Sequence, residues 1–240
     1  MLWQTLALTK RELKHWYRVK VQIFMTIIQP VVWLGLFGQA FNIGRLFSAP
    51  GMPPGLFQQA FSGAPNYFSF MAIGMLAVNV LFTCMFSGMS IVWDRRFGFL
   101  NKLKVSPIPR GVIPVSRIFS TVIRAMIQVV IVFAIAIAFN YVPGLTGLGL
   151  KEGFGAIEVL GSFAMLFLLA VGFASLFTTI ALAVENQETL FGVINLINLP
   201  LMFASAALFP TTLMPDWLKG VAEYNPLTLA ADGLRQLAFN

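Results

Sequence analysis

Residues 67–104 read YFSFMAIGMLAVNVLFTCMFSGMSIVWDRRFGFLNKLK, and the two parts of that line decide the fold. No side chain from Tyr67 to Trp93 is charged; then Asp94, Arg95, Arg96, Lys102 and Lys104 arrive within one short segment. A helix needs about 20 apolar residues to cover about 30 Å of hydrocarbon. Tyr67 to Val92 therefore predicts a membrane-crossing helix that ends at a charged, aqueous boundary.

The same pattern extends in both directions. Charge-free runs occupy Val21–Gly44, Leu46–Trp93, Ala125–Leu150, Val159–Val184 and Thr189–Pro215. The second run is long enough for two spans, but Pro50, Pro53, Pro54 and Pro65 break its first part. Five spans are predicted, at 21–43, 67–92, 112–141, 158–184 and 190–209. The chain is 58% hydrophobic and 10% charged, against about 25% charged in an ordinary soluble domain. An all-α polytopic membrane protein is the expected class. Arg117 and Arg124 stand seven apart at the start of the third span, hence on one face, where they snorkel or meet protein.

Of 16 Lys and Arg, 11 fall in two segments, Lys10–Lys20 and Asp94–Arg117. Two spans separate them, so both lie on one side, and the positive-inside bias makes that side cytoplasmic. Loops 45–66 and 142–158 carry one basic residue each, Arg45 and Lys151. The acidic turn Glu185–Glu188 runs against the pattern, although acidic residues contribute little to orientation. The net charge of +7 follows from topology, so no nucleic-acid partner is expected. The expected location is the cell membrane of a prokaryote, spanned several times, with a cytoplasmic N-terminus.

Residues 1–20 alternate Leu2, Leu6, Leu13 and Trp16 or Tyr17 with Lys10, Arg11, Lys14 and Arg18, as a helix lying in the membrane interface does. A solvated basic leader is the alternative. The apolar run after Lys20 is too long for a signal peptide. Cys84 is the one cysteine, which excludes an intrachain disulfide or a cysteine-rich metal site.

The chemistry is sparse. His15 is the single histidine, carboxylates are confined to segment ends, and neither a P-loop nor His-Glu-x-x-His occurs. A non-catalytic protein with no cofactor of its own is expected. No ionisable residue is placed at mid-depth of a span, so energy for moving a solute would come from outside the membrane. The polar groups in the spans are amides and hydroxyls, the amides being Gln22, Gln29 and Gln39 in the first span, Asn79 in the second, Gln128 in the third, and Asn195 and Asn198 in the fifth. They either bond helix to helix or line a path. At 94–105 a short amphipathic helix is predicted, with Asp94 as its cap, Phe97, Leu100 and Leu103 at spacing three, and Pro107 as its stop. Such a helix lies on the membrane or docks into a partner's groove.

Three stretches carry a family resemblance: the basic leader, Phe99-Leu-Asn-Lys-Leu-Lys-Val-Ser-Pro-Ile-Pro-Arg110, and Asn225-Pro226-Leu-Thr with Asp232-Gly-Leu-Arg235. In that order they resemble the membrane subunit of ABC-2 type ATP-binding cassette exporters along nearly the whole chain, and most the multidrug or daunorubicin-resistance branch. The resemblance implies a permease moving a drug-like, lipid-like or other amphipathic substrate out of the cytoplasm. It also implies a homo- or heterodimer in membrane lipid, with P-loop ATPase subunits that hold ATP and Mg on the cytoplasmic side. By the same resemblance the ATPase-facing coupling helix would use Asp94, Arg95, Arg96, Phe97, Phe99, Leu100, Lys102, Leu103 and Lys104. Residues 210–240, with Asn225, Pro226 and Arg235, would form an external re-entrant or short-helix element. Family members typically have a sixth span after that element, so the sequence ending at Asn240 is expected to be either truncated, the favoured reading, or that of a subunit with an odd number of spans and an external C-terminus. A non-transporting scaffold that recruits a cytoplasmic partner through 94–105 is the competing function.

Overall fold

The computed structural model describes residues 2–40, 56–99, 105 and 109–239, which form helices and short connections. In chain order the helices are α1 (Leu2–Arg18), α2 (Lys20–Ala40), α3 (Leu56–Ala60), α4 (Tyr67–Arg96) and α5 (Val112–Ala138, prolonged by a 3-10 turn at Phe139–Tyr141). They continue with α6 (Ala156–Ala183), α7 (Gln187–Phe203), α8 (Asp216–Glu223) and α9 (Pro226–Phe239). Three are long and apolar enough to cross a membrane, namely α4, α5 with its 3-10 turn, and α6; α2 contains the shorter apolar stretch Ile27–Gln39. The chain is an all-helical polytopic membrane protein.

The centre of the bundle is α4. Every residue from Tyr67 to Leu81 is buried, because α2, α5, α6, α7 and α9 all pack against this helix. Lipid gives no hydrophobic drive between helices, so close approach has to come from small residues. Gly88 supplies it against α6, where an added Cβ would stand 3.0 Å from the Phe177 carbonyl oxygen. At Gly74 an added Cβ would run into the Ala207 carbonyl oxygen. Around this centre, Phe119 and Val130 of α5, Leu160 and Leu168 of α6, and Leu196 and Phe203 of α7 remain exposed. These side chains form the bundle's apolar outer surface.

Hydrogen bonds between helix ends define two poles. At the basic pole α1, the end of α4, the start of α5 and the α6–α7 turn meet. At the other pole, Gln39 Nε2 donates to the Thr146 carbonyl at 2.6 Å, Gly149 N–H to Ser69 Oγ at 2.9 Å, and Lys151 N–H to the Ala238 carbonyl at 2.9 Å. Asn66 starts α4 as an N-cap, accepting from Ser69 N–H at 2.7 Å.

Several boundaries differ from the sequence expectation. Asp94 does not cap a new helix: α4 runs on through Arg96 and ends where Gly98 takes φ +70°, a left-handed conformation suited to glycine. Residues 94–96 of the expected 94–105 helix therefore belong to the last turn of α4, and 100–104 lie outside the described residues. The helix expected at 190–209 spans 187–203 instead. Pro200 withholds a backbone donor in its last turn, and the carbonyls that follow are captured by distant side chains, described below. At about 25 Å, α7 alone is shorter than a hydrocarbon core.

Candidate functional site

At the basic pole the charges mostly bind the chain to itself. Arg117 of α5 is buried between two carboxylates, Glu12 of α1 at 2.6 Å and Asp94 of α4. Glu12 also meets Arg11 at 2.9 Å, and Thr9 donates to the Ser116 carbonyl. Thus Thr9, Glu12 and Trp16 form the face of α1 that meets the bundle, while Leu2, Trp3, Leu6 and Tyr17 stay uncovered. Arg95 donates at 2.8 and 2.9 Å to the carbonyls of Val184 and Leu182, closing the C-terminus of α6. Arg96 donates to Gln187 Oε1 at 2.9 Å. Of the expected partner-contacting residues, Asp94, Arg95 and Arg96 are thus engaged within the chain. Phe97 points outward, 75% exposed and stacked on Trp93. Phe99 lies under the Arg11 guanidinium at 3.5 Å. Leu100, Lys102, Leu103 and Lys104 fall outside the described residues.

Inward from this pole a polar ladder runs between α4 and α5. On α4, Asn79, Thr83, Ser87, Ser90 and Asp94 recur at spacings of three and four; on α5, Arg117, Thr121, Arg124 and Gln128 do the same. The helices are antiparallel, so the rungs pair in reverse order: Arg117 with Asp94 and Ser90, Thr121 and Arg124 with Ser87, and Gln128 with Thr83. Each such bond is worth about 0.6 to 2 kcal/mol inside a membrane. Arg124 lies about 18 Å along a helix of about 40 Å.

Beside the ladder, α2, α4 and α5 enclose a cleft of about 540 Å³. It brings together Gln29, Asn79 and Gln128 from the sequence-predicted amides, with Arg124 among them. Asn195 and Asn198 are elsewhere: Asn195 is exposed on α7 and donates to its own Phe191 carbonyl, and Asn198 is buried with an unpartnered Oδ1. Glu12, Thr83, Ser87, Ser90 and Thr121 were not singled out from the sequence. The three-and-four spacing of hydroxyls on α4, matched by Arg117, Thr121, Arg124 and Gln128 on α5, is the signal that points to the four hydroxyls; none points to Glu12.

The C-terminal element has a structural task. Asn225 Nδ2 donates to the carbonyls of Leu201 and Ala204 at 2.9 and 2.7 Å, while its Oδ1 accepts from Leu227 N–H and so caps α9. Pro226 takes the first helical position, where no N–H is needed. Arg235, wholly buried, donates to the carbonyls of Ala206, Ala207 and Phe70, pairs with Asp232 at 3.0 Å and lies 3.5 Å over the Phe70 ring. Thr228 Oγ1 accepts from Ala206 N–H. These side chains replace the helical hydrogen bonds that the backbone after Phe203 lacks, which keeps its buried polar groups paired. In turn α9 lies antiparallel to α6, Leu237 facing Gly161 and Gly233 facing Met165.

A helical bundle of this kind, with polar groups between spans and charges at one pole, defines a multi-pass membrane subunit. The ABC-2 type transporter family model matches residues 4–239, and the chain belongs to that family. It is 32% identical to the transport permease named ycf38 of Cyanophora paradoxa, over 96% of this chain and 72% of that protein. Its identity to ycf38 of Pyropia yezoensis is 30%, over 96% and 72%. To the protein named doxorubicin resistance ABC transporter permease DrrC of Mycobacterium tuberculosis it is 23%, over 98% and 76%. The chain is accordingly a transporter permease subunit, and the family's membrane subunits are non-catalytic.

Proposed function

We propose that this permease works in an ATP-driven exporter, moving an amphipathic, drug-like or lipid-like molecule out of the cytoplasm while a separate P-loop ATPase subunit hydrolyses ATP with Mg. It pairs with a second permease subunit, identical or related, in the cell membrane of a prokaryote, its basic pole in the cytoplasm. The observation that carries this reading is the construction of that pole. Phe97, 75% exposed, projects from the end of the most buried helix, and ion pairs and carbonyl bonds tie that end to α1, α5, α6 and α7. A push on Phe97 and the segment after it would be passed to several spans at once. Drug-resistance permeases among the relatives support an amphipathic cargo.

The test is Phe97→Asp in the full-length permease, expressed with its ATPase. Substrate-stimulated ATP hydrolysis is expected to fall by at least about tenfold, equal to about 1.4 kcal/mol of coupling, with membrane insertion unchanged. Hydrolysis at the wild-type level would overturn the assignment.

A further inference from the structure

The cleft between α2, α4 and α5 is bordered by a buried cation that has no ion-pair contact among the described residues; Glu12 acts on it only from beyond contact distance. Arg124 is 7% exposed and lines the cleft. Its Nη2 donates to Ser87 Oγ at 3.0 Å and Ser120 Oγ at 3.3 Å, and its Nε to the Ser120 carbonyl at 3.2 Å. All of these acceptors are neutral. Among the described residues no carboxylate pairs with it, since Glu12 and Asp94 both bind Arg117. A guanidinium in a low-dielectric interior is costly without a counter-charge.

A second observation points the same way. Asn79, 8% exposed on the same wall, has an Nδ2 with no acceptor. Gln128 meets Thr83 and lines the cleft as well. A fixed guanidinium flanked by amide donors suits an oxyanion. Gln29, Thr83, Ser87 and Ser90 add to the polar lining; its apolar part is Phe82, Phe86 and Ile28, with Trp16 and Trp93 toward the basic pole. Phe86 and Trp93 keep 51% and 45% of their surface exposed, so the cleft has an apolar, open side.

We propose that this cleft binds an anionic amphiphile, its phosphate or carboxylate head on Arg124 with Asn79 and Gln128 and its chain against Phe86 and Trp93. Binding follows from the cleft's geometry; that the amphiphile is the cargo, rather than a resident phospholipid, rests on the exporter reading.

The experiment uses the full chain in mixed micelles, with its tryptophan fluorescence quenched by dibrominated phosphatidylglycerol or dibrominated phosphatidylcholine. The anionic lipid is expected to quench at about tenfold lower mole fraction, about 1.4 kcal/mol of preference. Arg124→Gln should bring the two lipids to parity, Arg124→Lys should keep most of the preference, and Asn79→Leu, which removes the unpartnered amide donor, should reduce it. Equal quenching by both lipids, or a preference unchanged in both R124Q and N79L, would overturn the proposal. One phospholipid per chain surviving purification would identify a resident lipid; reversible competition by dodecyl phosphate without such a lipid would identify a cargo site. No ATPase is present, so a failure here leaves the exporter reading to its own test.

Discussion

Arg235 and Arg124 are both buried arginines in a membrane protein, and they are treated in opposite ways. Arg235 spends its donors on three backbone carbonyls and an aspartate while its flat face covers Phe70. Arg124 rests on two serine hydroxyls and a carbonyl of its own helix, and it borders a cleft. The first guanidinium is a fastener for backbone that has left the helix. The second is held by neutral groups alone, beside a cleft. Burial alone therefore does not tell structure from function in lipid; the chemistry of the acceptors does.

The contrast breaks most visibly at Arg235. Arg235→Met strands the carbonyls of Phe70, Ala206 and Ala207 and should cost on the order of 3 to 5 kcal/mol. The expected outcome is loss of the monodisperse peak when detergent extracts are run on a sizing column; a normal peak with an unchanged melting temperature would remove the fastener role. An intermediate effect is expected for Arg95→Ala, which frees the carbonyls of Leu182 and Val184 at the end of α6. About 1.5 to 3 kcal/mol should be lost, read as a lower melting temperature and faster proteolysis at the Glu185–Glu188 turn. The smallest effect, with the opposite sign, belongs to Asn79→Leu. Removing an amide whose donor is unpaired should leave stability equal or raise it by up to about 1 kcal/mol. A marked drop in melting temperature would show that Asn79 is a structural amide like Asn225.

How far the sequence reaches is clear from individual residues. Hydropathy places α4, α5 and α6, because bilayer thickness sets the length of an apolar run. It does not show that α4 is central: a span facing lipid and a span facing protein are equally apolar, and only small residues such as Gly74 and Gly88 hint at the difference. Asn79 and Gln128 stand out as amides in apolar runs and Arg124 as a charge at the edge of one, whereas their partners Thr83, Ser87 and Thr121 are too common to notice singly. The end of α7 was illegible for another reason. Leu201, Ala204 and Ala206 continue an apolar run, and what stops the helix is Asn225 and Arg235, more than 20 residues further along. Arg95 likewise reads as one of a basic pair; its use as a cap for α6 depends on a contact between spans.

The most direct test of the central claim, that this permease serves an ATP-driven exporter through its basic pole, is extraction of the tagged full-length protein from its native membrane in mild detergent. Mass spectrometry then identifies what stays bound. The account predicts a P-loop ATPase at about one per permease chain, retained by wild type and lost from Phe97→Asp. Reproducible absence of any ATPase, with another cytoplasmic protein bound at the same pole, would contradict it.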